Sequence, residues 1–404
     1  MSDWPVLDLF SGAGGMSFGF HARPPFRVVG AVDVEFGKPS SGVGALECNR
    51  TYEANIGVAP LALDLAAAPP GYIRAGYAGR LPTEVAVLFS CAPCTGFSRA
   101  KNVNHLRDDP GNSLVGRSLL FVDEFRPTVF LMENARELLQ GTFRHHWDNL
   151  RRGLAQRRYE VVGAVHRLDR FGLPQVRERA IITAVRDGLT LRTLDDLWDG
   201  YELRSDVVTV RSAIAGLPRL SAGCADRADP MHASPAMGPD NLRRIRLIPN
   251  DGGSWADLRH HPEREAVLTG AMLRNIERQD FGSHPDVYGR LAWDKPAPTV
   301  KRECGHIGNG RYAHPDQDRL CTVRELAILQ GFPRTYQFRA KALSNNYRHV
   351  GDAVPPLISY QLSALCEWML TGRKPKPPEW VLPDTHLRHS DIRASNVARS
   401  LFAG

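Results

Sequence analysis

The sequence predicts an α/β protein: a doubly wound, mostly parallel sheet carrying a smaller, irregular domain. Three observations predict it. From residue 4 to about 185, strand-length apolar runs alternate with helical stretches, as a parallel sheet covered on both faces requires. The first run ends in a glycine-rich turn, where such sheets bind ligands. After Arg186 the alternation fades into a segment rich in Arg, Pro, Gly and Asp, and order returns only at Tyr288. With 404 residues, 43% of them hydrophobic, the chain can bury one large core and a second, smaller one.

Residues 6–9 read as a buried strand, followed by Phe10-Ser11-Gly12-Ala13-Gly14-Gly15, a turn that lets backbone approach a ligand closely. A nicotinamide fingerprint wants a third glycine where Ser17 stands, so a dehydrogenase fits poorly. Residues 28–32 form a second strand ending at Asp33, and residues 61–65 a third that contains Asp64. The run 85–89 delivers Cys91-Ala92-Pro93-Cys94-Thr95-Gly96-Phe97-Ser98 into a loop. Helices are predicted over 118–125 and 145–156, and the strand 128–132 between them ends in Glu133-Asn134. Gln175-Val176-Arg177-Glu178-Arg179 leads into the strand 180–185. Strand ends thus gather a thiol, a carboxylate and two guanidiniums. Thr322, with Glu325 at capping-box spacing, starts a helix over 322–330, and another runs over 356–370. Gly372-Arg373-Lys374-Pro375-Lys376-Pro377-Pro378 reads as a linker to a polar tail of unassigned role. The expected divisions are residues 1–185, 186–286, 287–371 and 372–404.

Composition narrows the function classes. A net charge of +7 suits a polyanionic partner. Seven cysteines, an odd number without paired metal-ligand spacing, point to reduced thiols and to neither a disulfide framework nor a metal site. Cys91-x-x-Cys94 stands without a second ligand pair. No apolar run is long enough to cross a membrane and no signal-peptide pattern precedes the first strand, so a cytoplasmic protein is expected. Taken alone, Cys94 reads as a small buried hydrophobe, Glu133 as a solvated strand end, and Arg177 and Arg179 as an ion-pair ladder with Glu178.

In order along the chain, the glycine turn, Pro93-Cys94, Glu133-Asn134 and Gln175-x-Arg177-x-Arg179 resemble the cytosine-C5 DNA methyltransferase family of bacterial type. Tyr288-Gly289-Arg290-Leu291, Arg324-Glu325-Leu326, Leu329-Gln330-Gly331-Phe332-Pro333 and Gly351-Asp352-Ala353-Val354-Pro355-Pro356 complete the series. The resemblance covers most of the chain and implies the S-adenosylmethionine-dependent methyltransferase fold, with DNA as partner and S-adenosyl-L-methionine as cofactor. It assigns catalysis to Cys94, Glu133, Arg177 and Arg179. Carbon 5 of cytosine is too electron-poor to take a methyl group, so a thiolate must first add at carbon 6. A carboxyl group at N3 and a cation near O2 then stabilise the charge that develops. Because the target carbon is stacked inside a duplex, the base must be flipped.

By the same resemblance, Phe10, Gly12, Gly14, Gly15, Asp33, Asp64, Leu114 and Asp352 hold the cofactor, with Asp33 accepting from the ribose hydroxyls, Asp64 meeting the adenine amine and Leu114 packing on the ring. Ser98, Gln175, Arg243, Arg244 and Arg246 are expected to contact double-stranded DNA, and residues 186–286 to choose its sequence. A monomer is expected, working beside a restriction nuclease or other phage-defence proteins. The chain departs from the family pattern at Thr95 (usually Gln), Ala135 (usually Val) and Asp352 (usually Asn), and residues 36–44 lengthen one link into a possible flap. Asp352 introduces a charge that would attract the cofactor's ammonium or repel its carboxylate. Two other readings stay open. One is a cytosine-binding DNA protein without catalysis, against which Cys94, Glu133 and Arg179 speak. The other is an RNA-directed relative, whose Cys-Phe-Thr signature is missing after Glu133-Asn134-Ala135-Arg136.

Overall fold

A computed structural model describes residues 3–35, 45–93, 108, 113–279 and 286–395. Six strands form the main sheet: β1 (Trp4–Leu9), β2 (Phe26–Val32), β3 (Val87–Ser90), β4 (Val129–Ala135), β5 (Tyr159–Arg167) and β6 (Glu178–Arg186), in the order β2-β1-β3-β4-β6-β5. All run parallel except β6, which lies antiparallel to both its neighbours. The chain leaves β1 for β2 on one side and returns to β3 on the other, so strand order reverses between β1 and β3. A crevice opens there at the carboxyl ends of the strands.

The period of two along each strand sends side chains to two separate cores. Val6, Val87, Phe89, Val129, Leu131, Ile181 and Val185 face one side. Leu7, Leu88, Phe130, Met132, Ile182 and Ala184 face the other, under helices α3 (Leu114–Phe125) and α4 (His145–Gln156). On the first side α1 (Gly15–His21) packs against α8 (Pro356–Thr371). Their approach depends on Gly19, where a Cβ would come 2.2 Å from the backbone nitrogen of Tyr360. Gly19→Ala is therefore expected to push the helices apart and cost about 1–3 kcal/mol, the usual penalty of overpacking. A lower urea midpoint would register it, and an unchanged one would show that the pair yields freely.

A second core runs from Val210 to Ala353 and includes Ile245, Trp255, Tyr312, Leu326, Phe332 and Tyr347. Leu194, Leu197, Trp198 and Val207, beyond the compositional break at residue 186, still belong to the sheet core. The change of core thus falls between Val207 and Val210. The capping box expected at Thr322 is present: Glu325 N donates to Thr322 Oγ1 at 3.1 Å and Thr322 N to Glu325 Oε2 at 2.7 Å.

Two expectations need correcting. Residues 61–65 do not form a third strand; only Leu61 bridges Val32, after which the Asp64 carboxylate accepts from Ala66 N at 2.9 Å and turns the chain. Nor is the C-terminal segment a free tail as far as residue 395. Trp380 is fully buried with its ring 4.6 Å from that of Trp198, and β8 (Ile392–Ala394) pairs with β7 (Tyr201–Leu203). Trp380, Leu382 and Leu387 recur with no regular period, so no helix or strand pattern announced their burial. No helix among the described residues is long and apolar enough to cross a membrane.

Candidate active site

The antiparallel β6 makes the geometry of the candidate site possible. A parallel strand would leave its first residues at the far edge of the sheet, whereas β6 begins where β4 ends, with Arg179 in register with Ala135. Arg179 Nε consequently lies 2.8 Å from Glu133 Oε1, and both side chains are mostly but not wholly covered. Arg179 Nη1 also donates to Glu178 O at 2.7 Å. Beside the pair opens a cavity of about 360 Å³, lined by Ala135, Arg136, Val176, Glu178, Arg179 and Thr299.

Asn134 connects this pair to the thiol loop. Its buried Nδ2 donates to Ala92 O at 3.0 Å while its Oδ1 accepts from Ala135 N at 2.9 Å, so the loop carrying Pro93-Cys94 is anchored to β4. Cys94, Thr95 and Ser98 lie outside the described residues, as does the lengthened link 36–44. Cys91 is a different kind of thiol. Burial, then Glu133 and Asp8, hold it far above the usual range, so it stays protonated and inert.

The glycine turn is held from several sides. Phe10 and Gly12 adopt left-handed backbone, at φ of 62° and 51°. Gly12 N donates to Asp33 Oδ2 at 2.9 Å, and Glu35 N to Asp33 Oδ1 at 2.7 Å. Tyr336 hydroxyl donates to Ala13 O. A Cβ on Gly15 would stand 2.2 Å from Val354 O, which fixes the turn against the segment following Asp352. Above Gly12, by contrast, a Cβ would meet nothing within 4 Å among the described residues. Open space over the turn, beside a carboxylate with lone pairs to spare, fits a nucleoside ligand. Leu114 is half-buried at the start of α3, and Asp64 is exposed.

Asp352 is partnered by Arg302, whose Nη1 stands 2.9 Å from Oδ2. Its surroundings push the carboxyl up to about 6, against the pull of Arg302 and Arg177. The charge that departs from the family pattern is thus met within the protein by its own cation. Nothing near residue 302 in the sequence marked this, since the two are fifty positions apart.

Beneath the turn, Asp8 is buried with Ser17 Oγ donating to Oδ2 at 2.6 Å and Tyr52 hydroxyl donating to Ser17 Oγ at 2.6 Å. The only sequence signal for it was a carboxylate inside an apolar run.

A sequence model of the C-5 cytosine-specific DNA methylase family matches residues 5–367. The chain belongs to that family. It is 30% identical over 372 residues to the Type II methylase M.HgiDII of Herpetosiphon aurantiacus, covering 91% of this chain and 96% of that protein. It is 29% identical to the Type II methyltransferase M1.HphI of Haemophilus parahaemolyticus, covering 88% and 85%. Against DNA (cytosine-5)-methyltransferase 3 of Arabidopsis thaliana (29% identical) it covers 70% of itself but only 23% of the plant protein. A solved prophage-encoded protein of E. coli, described as a DNA modification methyltransferase, superposes with a TM-score of 0.62 at 21% identity, covering 91% and 99% of the two chains. The fold is that of S-adenosylmethionine-dependent methyltransferases.

Within this methylase framework three expected contacts are structural instead. Gln175, fully buried, donates to Leu329 O at 3.2 Å and Gln330 Oε1 at 2.7 Å, and accepts from Val300 N at 2.8 Å, so it has nothing left to offer DNA. Arg177 is buried against Val300 O at 3.1 Å and Ala353 O at 3.4 Å. It joins the sheet to the second core at the base of the cleft. Arg244 is buried too, donating to Asn241 Oδ1 at 2.6 Å and lying 4.5 Å from the Tyr288 ring centre. Arg243 and Arg246 are exposed, the first paired with Glu263 at 2.6 Å and the second 4.0 Å from Asp318.

Asn134 is the residue whose role the motif left unspoken. Asn134→Ala is expected to lower single-turnover methylation by roughly tenfold to a hundredfold through displacement of the thiol loop. Cofactor affinity should stay as it is. Equal loss of both in stopped-flow and calorimetry would make the residue a general fold determinant.

Proposed function

We propose that the protein transfers a methyl group from S-adenosyl-L-methionine to carbon 5 of a flipped cytosine in double-stranded DNA, through a covalent adduct of Cys94 at carbon 6. The observation that carries this reading is the Glu133–Arg179 pair at the end of β4, with Asn134 tethering the loop that bears Cys94. The Cys94 thiolate adds to carbon 6, and Glu133 gives a proton to N3 as the ring becomes an enamine. Arg179 holds Glu133 in place and faces the developing charge at O2. When bound, the sulfonium cofactor supplies the electrophilic methyl that carbon 5 attacks. N3 returns its proton to Glu133, and loss of the carbon 5 proton to a base then expels the thiolate and restores the aromatic ring. Gly12, Asp33 and the turn from Phe10 to Gly15 would hold the nucleoside, Asp64 and Leu114 the adenine, and Asp352 with Arg302 would border the methionine end.

Sequence choice is assigned to residues 186–286, with Arg243 and Arg246 as phosphate contacts that position the duplex. The bacterial relatives carry Type II names, which supports modification of host DNA beside a restriction or defence partner.

Duplex DNA with 5-fluorocytosine at the target tests the reaction, because fluorine blocks the final elimination. Wild-type protein should be trapped irreversibly in the presence of cofactor, and Cys94→Ala should not. Trapping of that variant would sink the covalent assignment to Cys94. Sequencing of host genomic DNA after conversion of unmodified cytosines reports base and context.

A further inference from the structure

Away from the catalytic pair, three metal-ligand side chains converge at the first turn of α4. The donor atoms of Asp108, His145 and His146 all lie within 4.8 Å of one another. His146 Nε2 stands 3.0 Å from each carboxylate oxygen of Asp108, and His145 Nε2 stands 3.2 Å from Oδ2. Successive side chains on a helix diverge by about 100°. Here the two rings instead lie face towards face, with centroids 4.1 Å and planes 36° apart, directed at one carboxylate. His146 is mostly covered and the other two are open to solvent.

We propose that Asp108, His145 and His146 form a binding site for a divalent late first-row transition cation, with Zn²⁺ as its reference ligand. Two neutral imidazoles and one carboxylate make a three-ligand set that leaves a position for water, as in open zinc sites. With bonds of about 2.0–2.1 Å, ligands of a tetrahedral zinc lie roughly 3.3 Å apart. The observed separations of 3.0 and 3.2 Å from carboxylate to imidazole are already close to that. The imidazoles also select against Mg²⁺ and Ca²⁺, which prefer oxygen ligands. A bound ion would fasten residue 108, which follows Cys94 in the connection between β3 and α3, to helix α4. The spacing rules that read Cys and His pairs along a sequence overlook the site, because its carboxylate comes from a distant segment.

Titration of the chelator-treated full chain with Zn²⁺ and with Co²⁺ tests the proposal. One equivalent should bind, and the Co²⁺ complex should show nitrogen and oxygen ligation without a thiolate charge-transfer band. His145→Ala/His146→Ala should lose that equivalent, and Asp108→Asn should weaken it at least about tenfold, as loss of one ligand does. His145→Gln/His146→Gln, with metal-free melting curves for every variant, separates loss of the site from loss of the fold. An unchanged stoichiometry in both double variants, a thiolate band, or no binding to the wild type would overturn the assignment.

Discussion

Glu133→Gln is expected to lower the single-turnover methylation rate by roughly a hundredfold or more, the usual contribution of a positioned general acid. The substitution keeps the shape of the side chain and can keep a contact with Arg179, which lies 2.8 Å away in the wild type. What it removes is the proton that N3 of the adduct needs. DNA and cofactor affinities should change little, because the carboxyl group acts on charge that appears only after the thiolate has added. Arg179→Lys should lose most of the same factor, since an ammonium cannot donate from Nε to Glu133 and from Nη1 to Glu178 O at once. An unchanged single-turnover rate in Glu133→Gln would reduce the carboxylate to a counterion for Arg179.

Asp8→Asn is expected to stabilise the protein above pH 7 and to flatten its pH dependence. Burial pushes the Asp8 carboxyl up to about 7, only partly offset by the Ser17 hydroxyl, and Asp33 raises it further. In an unfolded chain the same group titrates near 3.9. Between those values the folded protein keeps a proton that the unfolded chain has released, so stability declines as pH rises from about 4 to 7 and stays low above. A difference of that size corresponds to about 4 kcal/mol at most. Asparagine still accepts from Ser17 and never ionises. It leaves one polar atom without a partner among the described residues, as Asp8 Oδ1 already is, so the net gain should be a few kcal/mol. Chemical denaturation at pH 5, 6 and 7 separates the outcomes: wild type should weaken across the series and the variant should not. Parallel curves would show that Asp8 ionises freely in the fold.

The candidate site was legible because it depends on residue types placed at strand ends. An apolar run followed by Glu133-Asn134, and another preceded by Arg177-Glu178-Arg179, reveal where backbone emerges from a sheet, and Glu133 and Arg179 do meet there. The helix from Thr322 was legible for a similar reason, since its capping box is a contact between residues three apart. Gln175, Arg177 and Arg244 were misassigned by the same logic. A polar side chain in a motif looks available for a ligand until the elements packed against it are known, and these three turn inward to carbonyls and amides of segments many residues away, Arg244 to Val267 O. The docking of Trp380 on Trp198 and the pairing of β8 with β7 were hidden for want of any local period.

By itself the sequence determined the doubly wound sheet, the glycine turn and Asp33 at the ends of the first two strands, and the acid and guanidinium at the ends of β4 and β6. Each of these follows from local patterning of apolar, glycine and charged positions. Only the tertiary structure decided which polar side chains face the cleft and which join the two cores, that Asp352 is balanced by Arg302, and that Asp108 meets His145 and His146. Those outcomes depend on long-range packing, where burial forces each polar group to find a partner wherever the fold brings one.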